Sequence, residues 1–195
     1  MINNMDVMKL FRMPKPVSIM GKASSITNAF VNGIIPCIMP LKEELIDCLN
    51  ILELDSADLR CAYCGDKFTE WDHLRPIVKD KRPTGYISDI YNLVPACGKC
   101  NQSKGNKYWK DWILSDAKLS PKSRGVKNLD EKILRLERYE MWKEIKPIDF
   151  ESIVDNGLWE KHWSNCEELH RKMSEFQVVS NKIKALIQDN YRGSS

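Results

Sequence analysis

Residues 61–76, CAYCGDKFTEWDHLRP, and residues 92–105, NLVPACGKCNQSKG, carry two cysteine pairs of identical spacing, Cys61 with Cys64 and Cys97 with Cys100. Each pair forms a tight knuckle in which two thiolates converge, with Gly65 and Gly98 relieving backbone crowding, and two knuckles complete a tetrahedral four-cysteine zinc site. Two such pairs outside a thioredoxin-like strand and helix context favour structural metal over a redox site. Four thiolates leave no open coordination position, so this ion holds the chain and does no chemistry. It clamps the ends of residues 65–96, a stretch that buries too little apolar surface to fold alone.

The clamp brings together residues that are distant in sequence. Trp71-Asp72-His73-Leu74-Arg75-Pro76 follows the first knuckle; Asn92-Leu93-Val94 precedes the second and Asn101-Gln102-Ser103-Lys104-Gly105 leaves it. Successive strand residues point to opposite faces unless the strand is kinked, so Asp72 and His73 are suited to different roles at one site. Asp72 supplies a hard oxygen ligand. With the side-chain oxygen of Asn101 it makes a site for Mg2+ or Mn2+ that keeps positions for water and phosphate.

Asp72-His73 with Pro76, Asn92-Leu93-Val94, and Cys100-Asn101 with Lys104-Gly105 together resemble the HNH endonuclease signature in its zinc-stapled form, over about residues 58 to 108. The resemblance implies a ββα-metal fold, with His73 as general base, Asp72 and Asn101 as ligands of the catalytic metal, and Asn92 as the residue that braces the loop. It implies hydrolysis of a phosphodiester to 5′-phosphate and 3′-hydroxyl ends. The third position is Asn101 rather than His, which suits Mg2+ better than a soft transition metal. Residues 79–86, KDKRPTGY, form a polar basic insertion where a shorter turn would suffice. A zinc-ribbon binding module without activity is the alternative from another class, but it has no need to place Asp72, His73 and Asn101 together. An RNA-cutting or nicking HNH protein is the other alternative.

Elsewhere the sequence is less specific. The charge of +3, from 30 basic and 27 acidic residues, does not by itself point to nucleic acid. Its distribution does: Lys99, Lys104, Lys107 and Lys110, interleaved with Tyr108 and Trp109, and Lys79, Lys81 and Arg82 on the insertion form the footprint expected of DNA phosphate contacts. No apolar run reaches a signal-peptide core or the roughly 20 residues of a membrane span, which places the chain in the cytoplasm. Of the seven cysteines, Cys37, Cys48 and Cys166 read as buried inert thiols. His162 and His170 read as surface or hydrogen-bonded residues.

The expected class is α+β: a small ββα-metal core at 58–108, between a mainly helical N-terminal region at 1–57 and a helical C-terminal region at 109–195. An irregular entry up to about residue 20, with Lys9, Arg12 and Lys15, precedes a weak helix from Ser24 to Ile34. A firmer helix begins near Pro40 and carries Leu41, Leu45, Leu49 and Leu52 on one face. A short helix at Tyr108 to Leu114 and a basic loop at 120–127 lead to a helix from Leu129 to Lys146, with Leu134, Met141 and Ile145 on one side and Pro147 as its stop. Ser164 and Glu167 make a capping-box pattern ahead of a stripe of Leu169, Met173, Phe176, Val179, Ile183 and Leu186. Such a stripe is usually intramolecular core, and its near-heptad spacing also allows a homodimer. A free-standing restriction or anti-phage enzyme acting on double-stranded DNA fits this organisation best.

Overall fold

The computed structural model describes residues 11–193, so the entry segment before residue 11, Lys9 included, lies outside the described residues. The chain divides into two compact units, Asn28–Trp159 and the described residues of Met1–Thr27 with Glu160–Ser195. The order of elements is α1 (Ala23–Asn32), α2 (Lys42–Ile51), β1 (Glu70–His73), β2 (Val78–Lys79), β3 (Arg82–Pro83), β4 (Leu93–Ala96), α3 (Gly98–Lys104), α4 (Trp109–Ile113), α5 (Leu129–Met141), α6 (Phe150–Ile153) and α7 (Asn156–Gly193). This is the expected α+β class, and β1, β4 and α3 form its ββα core.

β1 and β4 pair antiparallel, with Asp72 opposite Val94 and His73 opposite Leu93. Pro95 is tolerated in β4 because a two-stranded sheet has only edge strands; its carbonyl accepts from Ala62 N–H (2.8 Å), tying the first knuckle to the sheet. Cys97 directly precedes α3, and Gly105, at φ +53°, ends it in a conformation that glycine takes without steric cost. The insertion folds as its own hairpin, β2 against β3, across a turn whose central residues Asp80 and Lys81 have φ of 49° and 63°. That is type I′ geometry, which matches the twist of the flanking strands.

One hydrophobic core joins the knuckles to helices on both sides. Cys48 of α2 and Leu52 just after it, Tyr63, Leu74, Val94, Trp109 and Trp112 of α4, and Leu136 and Tyr139 of α5 are all buried in it. Several periodic patterns are used differently from expectation. The inward face of α2 is Leu45 and Cys48, continued by Leu52 at its C-terminal cap, while Leu41 precedes the helix and is exposed. α5 stops at Met141, short of Pro147, and its buried side is Leu136 and Tyr139; Leu134 and Met141 face solvent because α2 and the sheet approach from the aromatic side. Cys48 and Cys166 are buried thiols, but Cys37 is exposed, on a segment bridged to Ser88 through its backbone alone.

In the second unit, Thr27 Oγ1 lies 3.0 Å from His170 Nε2, and Gln177 Oε1 accepts from Ile19 N–H at 2.7 Å. α7 begins eight residues before Ser164, after Asp155, whose carboxylate accepts from Leu158 N–H; Ser164 and Glu167 therefore lie within the helix rather than at its start. Met173 is buried, but Leu169, Phe176, Val179, Ile183 and Leu186 of the expected core stripe are exposed. Among the described residues, no helix is long and apolar enough to cross a membrane.

Candidate active site

The four sulfurs of Cys61, Cys64, Cys97 and Cys100 all lie within 4.8 Å of one another. Cys64 Sγ and Cys97 Sγ are 3.6 Å apart, close to the edge of about 3.8 Å that a tetrahedron with zinc–sulfur bonds of about 2.3 Å requires. Donor set and spacing both fit zinc. Arg124, from the basic loop at 120–127, donates to Cys100 Sγ at 3.0 Å and to Asp66 Oδ2 at 3.2 Å. Its guanidinium offsets part of the negative charge that four thiolates bring.

Asp72, His73 and Asn101 line one cleft of about 620 Å³, together with Asn28 and Asn32 of α1 and Asn106 beyond α3. The chain leaves the strand at His73 and turns toward the loop before β4, where Leu74 N–H donates to the Asn92 carbonyl at 2.7 Å. That turn lets two consecutive residues line the same cleft. Asn92 is 1% exposed: its Oδ1 accepts from Arg75 N–H at 2.8 Å, and its Nδ2 donates to the Arg75 and Ile87 carbonyls. One amide thus ties the chain after β1 to the chain before β4. Tyr139 of α5 donates its hydroxyl to the Ile90 and Leu93 carbonyls on either side of Asn92.

Asp72 is buried, and its carboxylate accepts from Tyr63 Oη at 2.7 Å. Lys104 Nζ lies 3.2 Å from Asp72 Oδ2 and donates to the His73 carbonyl at 2.7 Å. Burial pushes Asp72 up and Lys104 down, and each opposes the other's shift by charge. The pair is best described as an anion and a cation that keep one another ionised in a poorly hydrated place. Lys104 is 0% exposed. It is therefore not a phosphate contact as expected from the sequence: its ammonium is committed to Asp72 and two carbonyls.

The His73 ring lies with Nε2 at 2.7 Å from Ser88 Oγ. Burial, with the nearby Lys104 charge, lowers its pKa from the ordinary 6.5 to about 4, so the imidazole is neutral at physiological pH. Asn101 Nδ2 donates to Glu70 Oε2 at 2.8 Å. A carboxylate only accepts, so Glu70 decides which way the amide faces and leaves the Asn101 oxygen for other partners. Two hard oxygen donors, Asp72 and Asn101, on one cleft fit Mg2+ or Mn2+.

Of the other basic residues expected at DNA, Lys81 and Arg82 are exposed on the β2–β3 hairpin and Lys107 is exposed beyond α3. Lys99 lies 3.8 Å from Asp66, and Lys110 pairs with Glu137. Tyr63, Glu70 and Ser88 were not singled out by sequence. Glu70 had a legible signal, since it stands two residues before Asp72 and so shares its strand face. Tyr63 and Ser88 had none, because neither belongs to a periodic pattern.

This geometry agrees with the comparisons to known proteins. The HNH endonuclease family model matches residues 61–107, the segment that holds both knuckles and the whole of the Asp72, His73, Asn92 and Asn101 set. Within that class, a stretch of the CRISPR-associated endonuclease Cas9 of Corynebacterium diphtheriae is 40% identical to this chain over 57 residues. The match covers 27% of this chain and 5% of that protein, so the chain spans a small fraction of its relative's length. No solved structure matches.

Proposed function

We propose that the protein is a metal-dependent endonuclease that hydrolyses phosphodiester bonds in double-stranded DNA, with His73 as general base. The observation that carries this is the convergence of a neutral His73, Asp72 and the free oxygen of Asn101 on one cleft. His73 accepts a proton from water at Nδ1, the nitrogen that Ser88 leaves open. The oxygen so activated attacks phosphorus in line; the bond from phosphorus to the 3′ oxygen breaks, that oxygen takes a proton from solvent, and 5′-phosphate and 3′-hydroxyl ends result. Asp72 and Asn101 would hold Mg2+ or Mn2+, which when bound neutralises charge on the phosphate and the departing oxygen. Asn92 keeps the two chain segments in register, and Glu70 keeps the Asn101 amide turned.

Zinc at the four cysteines is structural in this proposal. Lys81, Arg82, Lys99, Lys107 and Lys110 are all exposed and offer positive charge to the phosphate backbone. The exposed apolar stripe of α7 supports a homodimer, which would bring two sites to the two strands. Restriction or anti-phage defence in the cytoplasm is the setting we propose.

The test is cleavage of supercoiled plasmid and of single-stranded RNA by the purified protein with Mg2+, beside His73→Ala and an EDTA control. DNA cleavage is expected, lost in EDTA and reduced by about 10²- to 10⁴-fold in His73→Ala. Full activity of His73→Ala would remove the base assignment, and cleavage of RNA alone would change the substrate class.

A further inference from the structure

The ring of a histidine base must be held by its other nitrogen, and the usual carboxylate does not reach it here: Asp72 is engaged by Tyr63 and Lys104. The contact at Nε2 is Ser88 Oγ, at 2.7 Å. Ser88 lies outside the named strands, yet its backbone is bonded on both sides. Its N–H donates to the Pro36 carbonyl at 3.1 Å and its carbonyl accepts from Ile38 N–H at 2.8 Å, forming a parallel bridge between Cys37 and Ser88. The segment that makes this bridge is anchored by two buried residues, Val31 in the last turn of α1 and Ile35 just after it. The same helix sends Asn28 and Asn32 to the cleft wall.

We propose that Ser88, clamped by residues 36–38, is the positioning residue that holds the His73 imidazole with Nδ1 toward the cleft, making the N-terminal region a working part of the active site. The proposal rests on His73 being the base, as argued above. A hydroxyl oxygen accepts from Nε2–H in the neutral ring and goes on accepting after Nδ1 has taken the proton of water. The ring therefore need not turn during the step, and the cleft-facing nitrogen keeps its lone pair before it. Residues 61–107 by themselves contain Ser88 and lack the clamp, which enters from a segment more than 20 residues upstream of the first knuckle.

The experiment compares wild type, Ser88→Ala, Ser88→Thr and Ile38→Pro as full-length, zinc-loaded proteins, with zinc content and thermal unfolding checked for each. Nitrogen-15 NMR of the His73 ring, recorded without Mg2+ at neutral pH, is expected to show a single Nε2–H tautomer in wild type and Ser88→Thr and a mixture in Ser88→Ala. Ile38→Pro, which keeps the hydroxyl but removes one clamp bond, is expected to show the mixture as well. In plasmid cleavage Ser88→Ala should lose about 10- to 100-fold in kcat, part of the range a general base supplies, with KM unchanged and with Ser88→Thr restoring the rate. A Ser88→Ala protein that keeps the wild-type tautomer, or that loses KM rather than kcat, overturns the role of the hydroxyl; an unchanged tautomer in Ile38→Pro overturns the clamp. Because the ring is observed without catalysis, a wild type that cuts no DNA bears on the nuclease function and leaves the NMR comparison decisive for Ser88.

Discussion

At His73 two causes act in the same direction: burial penalises the charged ring, and the Lys104 ammonium repels an added proton. The folded-state pKa falls to about 4 against 6.5 for an ordinary histidine. The unfolded chain therefore binds more protons than the folded one between these values. This contribution to stability is complete above pH 6.5 and is lost as pH falls through about 4. In protein free of Mg2+, an NMR titration of His73 is expected to show a midpoint near 4; a midpoint near 6.5 would mean that the ring is not buried beside a cation. Lys104 acts on both of its neighbours in the cleft, favouring the ionised form of Asp72 and the neutral form of His73. A lysine three residues after Asn101 reads in the sequence as one more surface charge, and only its burial reveals the other use.

The β2–β3 hairpin is the element whose local conformation and proposed use conflict. Asp80 and Lys81 both adopt left-handed backbone in a turn that favours Asp-Gly or Asn-Gly. A non-glycine residue there costs about 1 kcal/mol. Lys81→Gly is expected to stabilise the protein by roughly that amount in urea unfolding while weakening DNA binding and lowering the salt dependence of log K by about one phosphate contact. Unchanged affinity and salt slope would remove Lys81 from the DNA surface. α5 shows a different balance at the same scale: its Leu134, Met141 stripe has helical spacing, but the buried face is the one bearing Tyr139, whose single hydroxyl hydrogen is shared between the Ile90 and Leu93 carbonyls.

For the Asn28–Trp159 unit as a whole, the zinc knuckles are part of the hydrophobic core rather than an appendage. Cys61, Cys97 and Cys100 are buried in the same cluster as Trp109, Trp112 and residues of α2 and α5. Removing the structural metal should therefore unfold more than the knuckles. A zinc-selective chelator is expected to abolish near-ultraviolet circular dichroism and shift tryptophan emission to the red, whereas EDTA at levels that remove only Mg2+ stops cleavage and leaves both signals intact. Retention of the tryptophan signals after complete zinc loss would show that α2, α4 and α5 hold the core unaided.

The sequence by itself determined the four-cysteine cluster, the class of fold and the candidate catalytic set, because cysteine pairs at two-residue spacing and the Asp72-His73 and Asn101 steps are local patterns whose chemistry is legible without a fold. The tertiary structure alone decided how these groups are supported. The Lys104 ammonium, the Tyr63 hydroxyl, the Ser88 clamp from residues 36–38 and the Tyr139 brace all act across 9 to 52 positions of the chain. It likewise decided which helical stripes become core, since a stripe such as Leu169 to Leu186 states only that one face is apolar. Burial of that face depends on what packs against it, and periodicity carries no information about the neighbour.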